Sequence, residues 1–233
     1  MRLLFLLSLL FSSVAFAQYA NESELAMVQT GGNSTVQTIN SKNANSIQWD
    51  LNKMTFGGHY SYGDNKEAVT VRNWDLNVKY ERELNHKISL VGGEIIEGNK
   101  FTAIKARYNS DLGLRYYYIK TDLKAFFSEI SYRYAIEDRD PPADNLYDNK
   151  GRFYNEYRHK YSETLQYKIW IDYIPNFTDG KDYLVNGEAS VTAILTSMFS
   201  LKVAYMGMYD NKPALPGFKN YDYTTTTGLL AKF

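Results

Sequence analysis

The chain contains no cysteine, which removes any disulfide framework and any thiolate metal site. It has only five prolines, and four of them, Pro141, Pro142, Pro213 and Pro216, fall in two short stretches. Three histidines leave little material for base or metal chemistry. Lys plus Arg and Asp plus Glu each number 26, a balance that argues against a dedicated nucleic-acid binder. Beyond residue 17 no apolar stretch approaches the roughly 18 residues of a spanning helix. Tyrosine, by contrast, is abundant, with 21 copies.

The one long apolar run is at the amino end. Met1-Arg2 precedes Leu3-Leu4-Phe5-Leu6-Leu7-Ser8-Leu9-Leu10-Phe11, and Ser12-Ser13-Val14-Ala15-Phe16-Ala17 follows. A positive start, a short apolar run and an Ala-x-Ala site make a secretory leader over 1–17, which predicts a mature domain over 18–233. The run is shorter than the ~20 residues of a retained spanning anchor.

At the other end the chain alternates strictly up to an aromatic carboxy-terminus. Phe233, Ala231, Leu229, Thr227, Thr225, Tyr223 and Tyr221 fall on one face of a strand, and Lys232, Leu230, Gly228, Thr226, Thr224 and Asp222 on the other. The same period recurs along the mature chain and predicts strands at 24–30, 34–49, 53–62, 68–81, 88–98, 105–119, 123–137, 152–163, 167–177, 183–195, 201–209 and 221–233. The fourth is representative, with Trp74, Leu76, Val78 and Tyr80 on one face and Asn73, Asp75, Asn77 and Lys79 opposite. The first two alternate weakly, and Lys42-Asn43-Ala44-Asn45 reads as a bulge or break. About twelve strands is an even number, as a closed bacterial up-and-down barrel needs.

Two further patterns agree with an antiparallel transmembrane β-barrel. With a periplasmic amino-terminus, the inward turns at 50–52, 84–87, 120–122, 164–166 and 196–200 are all short, while the long connections at 138–151 and 210–220 point outward and carry the four clustered prolines. Aromatic residues also sort by strand end. Tyr80, Tyr116, Tyr118, Tyr161, Tyr167, Phe199 and Phe233 gather at one end, and Tyr60, Tyr132, Tyr173, Tyr183, Tyr209, Tyr221 and Tyr223 at the other. Rings with a polar tip favour the headgroup level of a bilayer.

The early hairpin Gln29-Thr30-Gly31-Gly32-Asn33-Ser34-Thr35, the late Asp210-Asn211-Lys212-Pro213 loop and the close Tyr223-Thr224-Thr225-Thr226-Thr227-Gly228-Leu229-Leu230-Ala231-Lys232-Phe233 form a distinctive series. In these features the chain resembles the YdiY-like "salt-induced outer membrane protein" family, domain of unknown function 481. The resemblance spans the mature chain and implies an outer-membrane barrel; it supplies no catalytic residue, ligand or cofactor. A terminal Phe also resembles the signal read by the barrel-assembly machinery, which makes Phe233 the candidate assembly signal and that machinery a partner, alongside outer-membrane lipids. The longer Pro-Pro loop after Arg139 departs from the family pattern.

For chemistry, alternation turns one set of charges toward the interior. These candidate lumen charges are Arg107, Asp111, Arg115, Glu129, Arg133, Glu156, Arg158, Lys160, Lys168, Asp172 and Glu188. Opposite signs on adjacent strands fit either a salt-bridged plug or a polar passage of weak charge selectivity for an unidentified small solute. Trp170 also faces inward, as packing or as a stacking platform. A barrel enzyme acting on lipid would need a histidine beside a nucleophile. His86 falls in a turn and His159 on the lipid-facing parity near a strand middle, whereas His59 faces inward with Ser61 two residues on. No catalytic constellation, cofactor site or metal-ligand spacing follows from these. The function expected is an outer-membrane barrel, structural or porin-like. A lipid-modifying barrel enzyme and an exported soluble β-barrel binding protein are the alternatives.

Overall fold

The computed structural model describes residues 18–30, 36–64, 68–99, 104–139, 144–213 and 220–232. The expected leader over 1–17, Gly31-Gly32-Asn33, Pro141, Pro142, Pro216 and Phe233 lie outside these residues. Twelve strands follow one another: β1 (Gln18–Thr30), β2 (Val36–Trp49), β3 (Asn52–Asp64), β4 (Val69–Glu83), β5 (Ile88–Asn99), β6 (Ile104–Lys120), β7 (Lys124–Arg139), β8 (Leu146–Lys160), β9 (Leu165–Pro175), β10 (Tyr183–Ile194), β11 (Phe199–Asp210) and β12 (Tyr221–Lys232). Each pairs antiparallel with its sequence neighbours, and β12 pairs back onto β1, closing the barrel. The expected class and strand number are those found. The seam is short: β1 and β12 pair only through Glu22–Ala26 and Gly228–Lys232, while every other ladder runs longer. Closed pairing is the condition for a sheet to cross a bilayer.

Several boundaries move. β1 begins at Gln18 and β8 at Leu146, each six residues earlier than its alternation indicated, so the connection after β7 is shorter than the expected 138–151. The short turns lie at 50–51, 84–87, 121–123, 161–164 and 195–198, all at one end of the barrel. Asp50, in the tightest of them, takes φ 47°, the left-handed region that aspartate tolerates. The fifth proline, Pro175, ends β9, where a missing donor costs least.

β1 and β2 pair without a register shift, so the break expected at 42–45 is absent. The irregularities are elsewhere, at Gly63/Asp64, Glu97/Asn99, Ile104/Ala106 and Tyr117/Ile119. What weakens the alternation of β2 is an outer face that is itself polar. There Tyr19 donates to Asn45 at 2.6 Å, Asn21 to Asn45 at 2.7 Å, Asn43 to Ser23 at 2.8 Å and Asn45 to Asn43 at 2.6 Å. These amides satisfy one another, which lowers the cost of presenting them to hydrocarbon.

Over the rest of the outer face Leu25, Leu76, Leu112, Ile130, Ile169, Val203 and Leu229 are exposed, so the apolar side of each strand points outward. Aromatic rings bound this band at both ends. At the short-turn end Tyr116, Tyr118, Phe126, Tyr157, His159, Tyr161 and Tyr167 form a continuous series with neighbouring centroids 4.7–6.4 Å apart. At the opposite end Phe153, Tyr173, Tyr183 and Tyr209 form another, 5.9–6.2 Å apart. His159 belongs to the first ring; the mid-strand position expected of it is corrected by the end of β8 at Lys160.

Candidate functional site

The same alternation that puts apolar residues outside puts charge inside, and the interior charges meet in a network centred on Glu129 of β7. Glu129 is 2% exposed. Its Oε1 accepts from Lys79 at 2.8 Å and from Arg152 at 3.0 Å; its Oε2 accepts from Lys79 at 2.7 Å and from Arg115 at 2.9 Å. Arg115 also reaches Glu81 at 2.5 Å, and Arg152 reaches Asp172 at 2.8 Å. Arg133 binds Asp111 through two donors at 2.7 Å each. Toward the long-connection end Arg107 joins Glu137 at 2.6 Å and Glu97 at 3.1 Å. Such bidentate and shared pairs fix guanidinium positions better than isolated contacts do.

Lys79 belongs to β4 and Glu129 to β7, so this contact passes over β5 and β6 rather than between neighbours. It needs small residues beneath it. Gly93 pairs with Lys79, and Gly113 lies between Asp111 and Arg115 on the inner parity. A Cβ on Gly113 would sit 2.2 Å from the Ile130 carbonyl oxygen and 2.5 Å from the Ser131 Cβ. Under the network runs an interior aromatic row, Tyr117–Phe127–Tyr154–Trp170, with centroids 5.3, 6.0 and 5.8 Å apart. Arg115 stacks on Phe127 at 4.3 Å and Arg152 on Tyr154 at 4.9 Å. Trp170 thus packs in this row, half-buried.

The eleven residues expected inside do not play one role. Arg107, Asp111, Arg115, Glu129, Arg133 and Asp172 are knitted into the network. Glu156, 3% exposed, is shared by Arg158, Lys168 at 3.4 Å and the Tyr154 hydroxyl. Glu188 meets Lys202 at 3.5 Å, and Lys202 also holds Glu24 at 3.2 Å. Lys160 is exposed and has no ion pair among the described residues. The network's further members, Lys79, Glu81, Glu97, Glu137 and Arg152, share the inward parity and could have been found by extending the alternation of their strands. Arg152 went unnoticed because it stood at the expected first residue of β8.

The lumen is filled unevenly. Lys42 of β2, Lys53 of β3 and Thr224 of β12 share the inward parity yet are exposed. Water therefore reaches these positions of β2, β3 and β12, although Ala26, Ser61 and Leu230 on the same side are buried, while the middle of the β6–β9 wall is packed.

His59 and Ser61 do meet: Nε2 lies 2.8 Å from Ser61 Oγ, and Nδ1 lies 3.4 Å from Asp75 Oδ1. Asp75, on β4, is a neighbour that spacing alone did not identify. The hydroxyl of Ser61, however, donates to Asn40 Oδ1 at 2.6 Å, so its proton is directed away from His59 Nε2. Ser61 is also only 5% exposed. The group is a hydrogen-bonded cluster of the lumen wall. Among the described residues no group of His, Asp and Glu has metal-site geometry.

A closed twelve-stranded antiparallel barrel, apolar outside between two aromatic rings and charged within, is a transmembrane barrel of the outer-membrane porin type. The chain belongs to the family described as "Protein of unknown function, DUF481", whose model matches residues 23–233. A comparison with curated proteins finds no match. Among solved structures the chain is similar to the NanC porin, at 13% identity and TM-score 0.53, covering 92% of this chain and 98% of that one. It is also similar to the COG4313 outer membrane channel from Pseudomonas putida F1, at 10% identity and TM-score 0.55, covering 96% and 98%. The KdgM porin gives 10% identity and TM-score 0.52, covering 92% and 99%. At these identities the likeness concerns the fold.

Proposed function

We propose that this chain is an exported outer-membrane barrel through which small solutes pass along the less filled side of the lumen, with no enzymatic role. The observation that carries the passage is the pairing of inward parity with exposure at Lys42, Lys53 and Thr224, opposite a packed wall. A plug would bury these three positions as well. Removal of residues 1–17 by signal peptidase, a periplasmic short-turn end, insertion by the barrel-assembly machinery through Phe233, and membership of the YdiY-like salt-induced branch of the family complete the reading.

Conductance of the refolded protein in planar bilayers is the test. Discrete channels smaller than those of an unobstructed barrel of this strand number are expected; silent membranes containing folded protein would refute a passage. Deleting Phe233 separates assembly from transport. Outer-membrane insertion in cells should fall sharply, while the refolded deletion variant keeps the conductance of the parent. Normal insertion of the variant would remove Phe233 from this role.

A further inference from the structure

We infer that the open side of the lumen is an anion strait, taking small solutes that carry carboxylate or phosphate groups; this rests on the passage proposed above. In a ring of twelve strands β2 faces β8 and β3 faces β9. Lys42 and Lys53 project inward from β2 and β3, and Arg158 and Lys168 project inward from β8 and β9. Lys53 lies near enough to feel Arg158 as well as Glu81 and Glu156, and Lys42 near enough to feel Lys168 as well as Asp75. Lys42 pairs with His59 and Lys53 with Gln48, so the two lysines stand at successive levels of the open side, Lys53 nearer the short turns.

The nearby carboxylates are already committed. Glu156 is shared by Arg158 and Lys168. Glu24 and Glu188 are both held by Lys202. Glu81 is bound by Arg115, and Asp75 accepts from Asn77 at 3.0 Å and faces His59. Lys42 and Lys53 have no ion pair among the described residues, and both are exposed to the lumen water. A pair of unmatched ammonium groups facing two half-matched cations makes a positive potential in a confined space, where wall charges focus the field. The weak selectivity expected from mixed signs is therefore replaced by a definite sign. The mixture is real, but the carboxylates nearest these lysines already have partners.

A positive potential of about one kT in the strait raises the anion-to-cation ratio on the order of sevenfold. The test is the reversal potential of the refolded full chain in planar bilayers under a potassium chloride gradient. Chloride should be favoured over potassium about fivefold or more. Lys42→Gln with Lys53→Gln should cut that preference at least twofold, and Lys42→Glu with Lys53→Glu should abolish or invert it. Inorganic phosphate added to one side should compete with chloride current in the parent and less so in the glutamine variant. Heat-modifiable migration verifies that each variant is folded, and the two lysines have no ion partner whose loss would unfold the barrel. Open channels with no ion preference or a cation preference, or a preference unmoved by both variants, overturn the inference while leaving a passage in place. Absence of any channel overturns the passage itself.

Discussion

Glu129→Gln is the substitution that tests the packed wall most directly. Glu129 serves three cations, but they do not depend on it equally. Arg115 keeps Glu81 at 2.5 Å and Arg152 keeps Asp172 at 2.8 Å, whereas Lys79 has no second carboxylate within ion-pair distance among the described residues. Removing one partner of a buried pair typically costs about 3–5 kcal/mol. Here two of the three cations retain partners, a glutamine oxygen can still accept one bond, and Lys79 is 34% exposed in its side chain and can turn into the open lumen. The loss should therefore fall at the lower end, about 3 kcal/mol.

Urea unfolding of the protein refolded into lipid vesicles, followed by tryptophan emission and gel mobility, measures it. Lys79→Met combined with Glu129→Gln should recover on the order of 1–2 kcal/mol relative to the sum of the single variants, because the orphaned charge is then gone. Channels of the single variant should also show a released Lys79 as a shift toward anions. If Glu129→Gln unfolds within about 0.5 kcal/mol of the parent, the network is decoration on a wall held by its backbone ladder, and the reasoning fails.

Gly113→Ala should destabilise the barrel by about 1–3 kcal/mol through its clash with the Ile130 carbonyl, measured by the same unfolding curves; a neutral result would show that β6 and β7 can part without cost. Asp179 and Lys212 tie the β9–β10 and β11–β12 connections at 2.6 Å. Lys212 holds the Asp179 carboxyl below its usual range and is itself raised, so the tie is present at neutral pH and is lost only as pH falls past the ordinary carboxylate value of about 4. Asp179→Asn should reproduce at pH 7 the proteolytic sensitivity of these connections that the parent shows only in stronger acid; equal sensitivity of parent and variant at pH 7 would dispose of the tie. A fluorophosphonate probe should leave Ser61 unlabelled, since its proton is engaged by Asn40 and it is buried; labelling lost in His59→Ala would mean that the cluster turns over esters.

The closing strand was legible because each of its faces has a single character, from Tyr221 and Tyr223 to Leu229 and Ala231 outside and from Asp222 to Lys232 inside. β2 was legible only as a strand. With Asn43 and Asn45 outside and Lys42 and Asn40 inside, both faces are polar, and a two-sided polar strand has no hydrophobic register to read. Its register is held instead by the Asp50 turn and by side-chain bonds to β1. The parity of Arg115, Glu129 and Arg133 could be read from the sequence, because parity is a property of one strand. That Lys79 spans β5 and β6 to reach Glu129 depends on barrel curvature and on Gly93 and Gly113, and no local pattern encodes such a contact. The Ser61–His59–Asp75 meeting was half legible for the same reason: two members share a strand and the third comes from the neighbour.

Why the lumen is filled unevenly follows from where the carboxylates are spent. The β4–β9 arc carries acids and guanidiniums in alternation, so most of its wall charges find an opposite charge on a nearby strand and pack over the aromatic row. Nothing comparable can draw β2 and β3 across to meet it. Their inward cations, Lys42 and Lys53, lie across the lumen from Arg158 and Lys168, and closing that gap would bring like charges together while the nearby Glu81, Glu156 and Asp75 are already shared with other partners. The attraction that packs one wall and the repulsion that keeps the other away thus come from a single distribution of charge. Supplying the missing carboxylates at positions 42 and 53 should then do two things at once: reverse the ion preference and let the strait close, lowering the open-channel current. A variant that changed selectivity at constant conductance would show that the barrel backbone alone, and not the repulsion, sets the width.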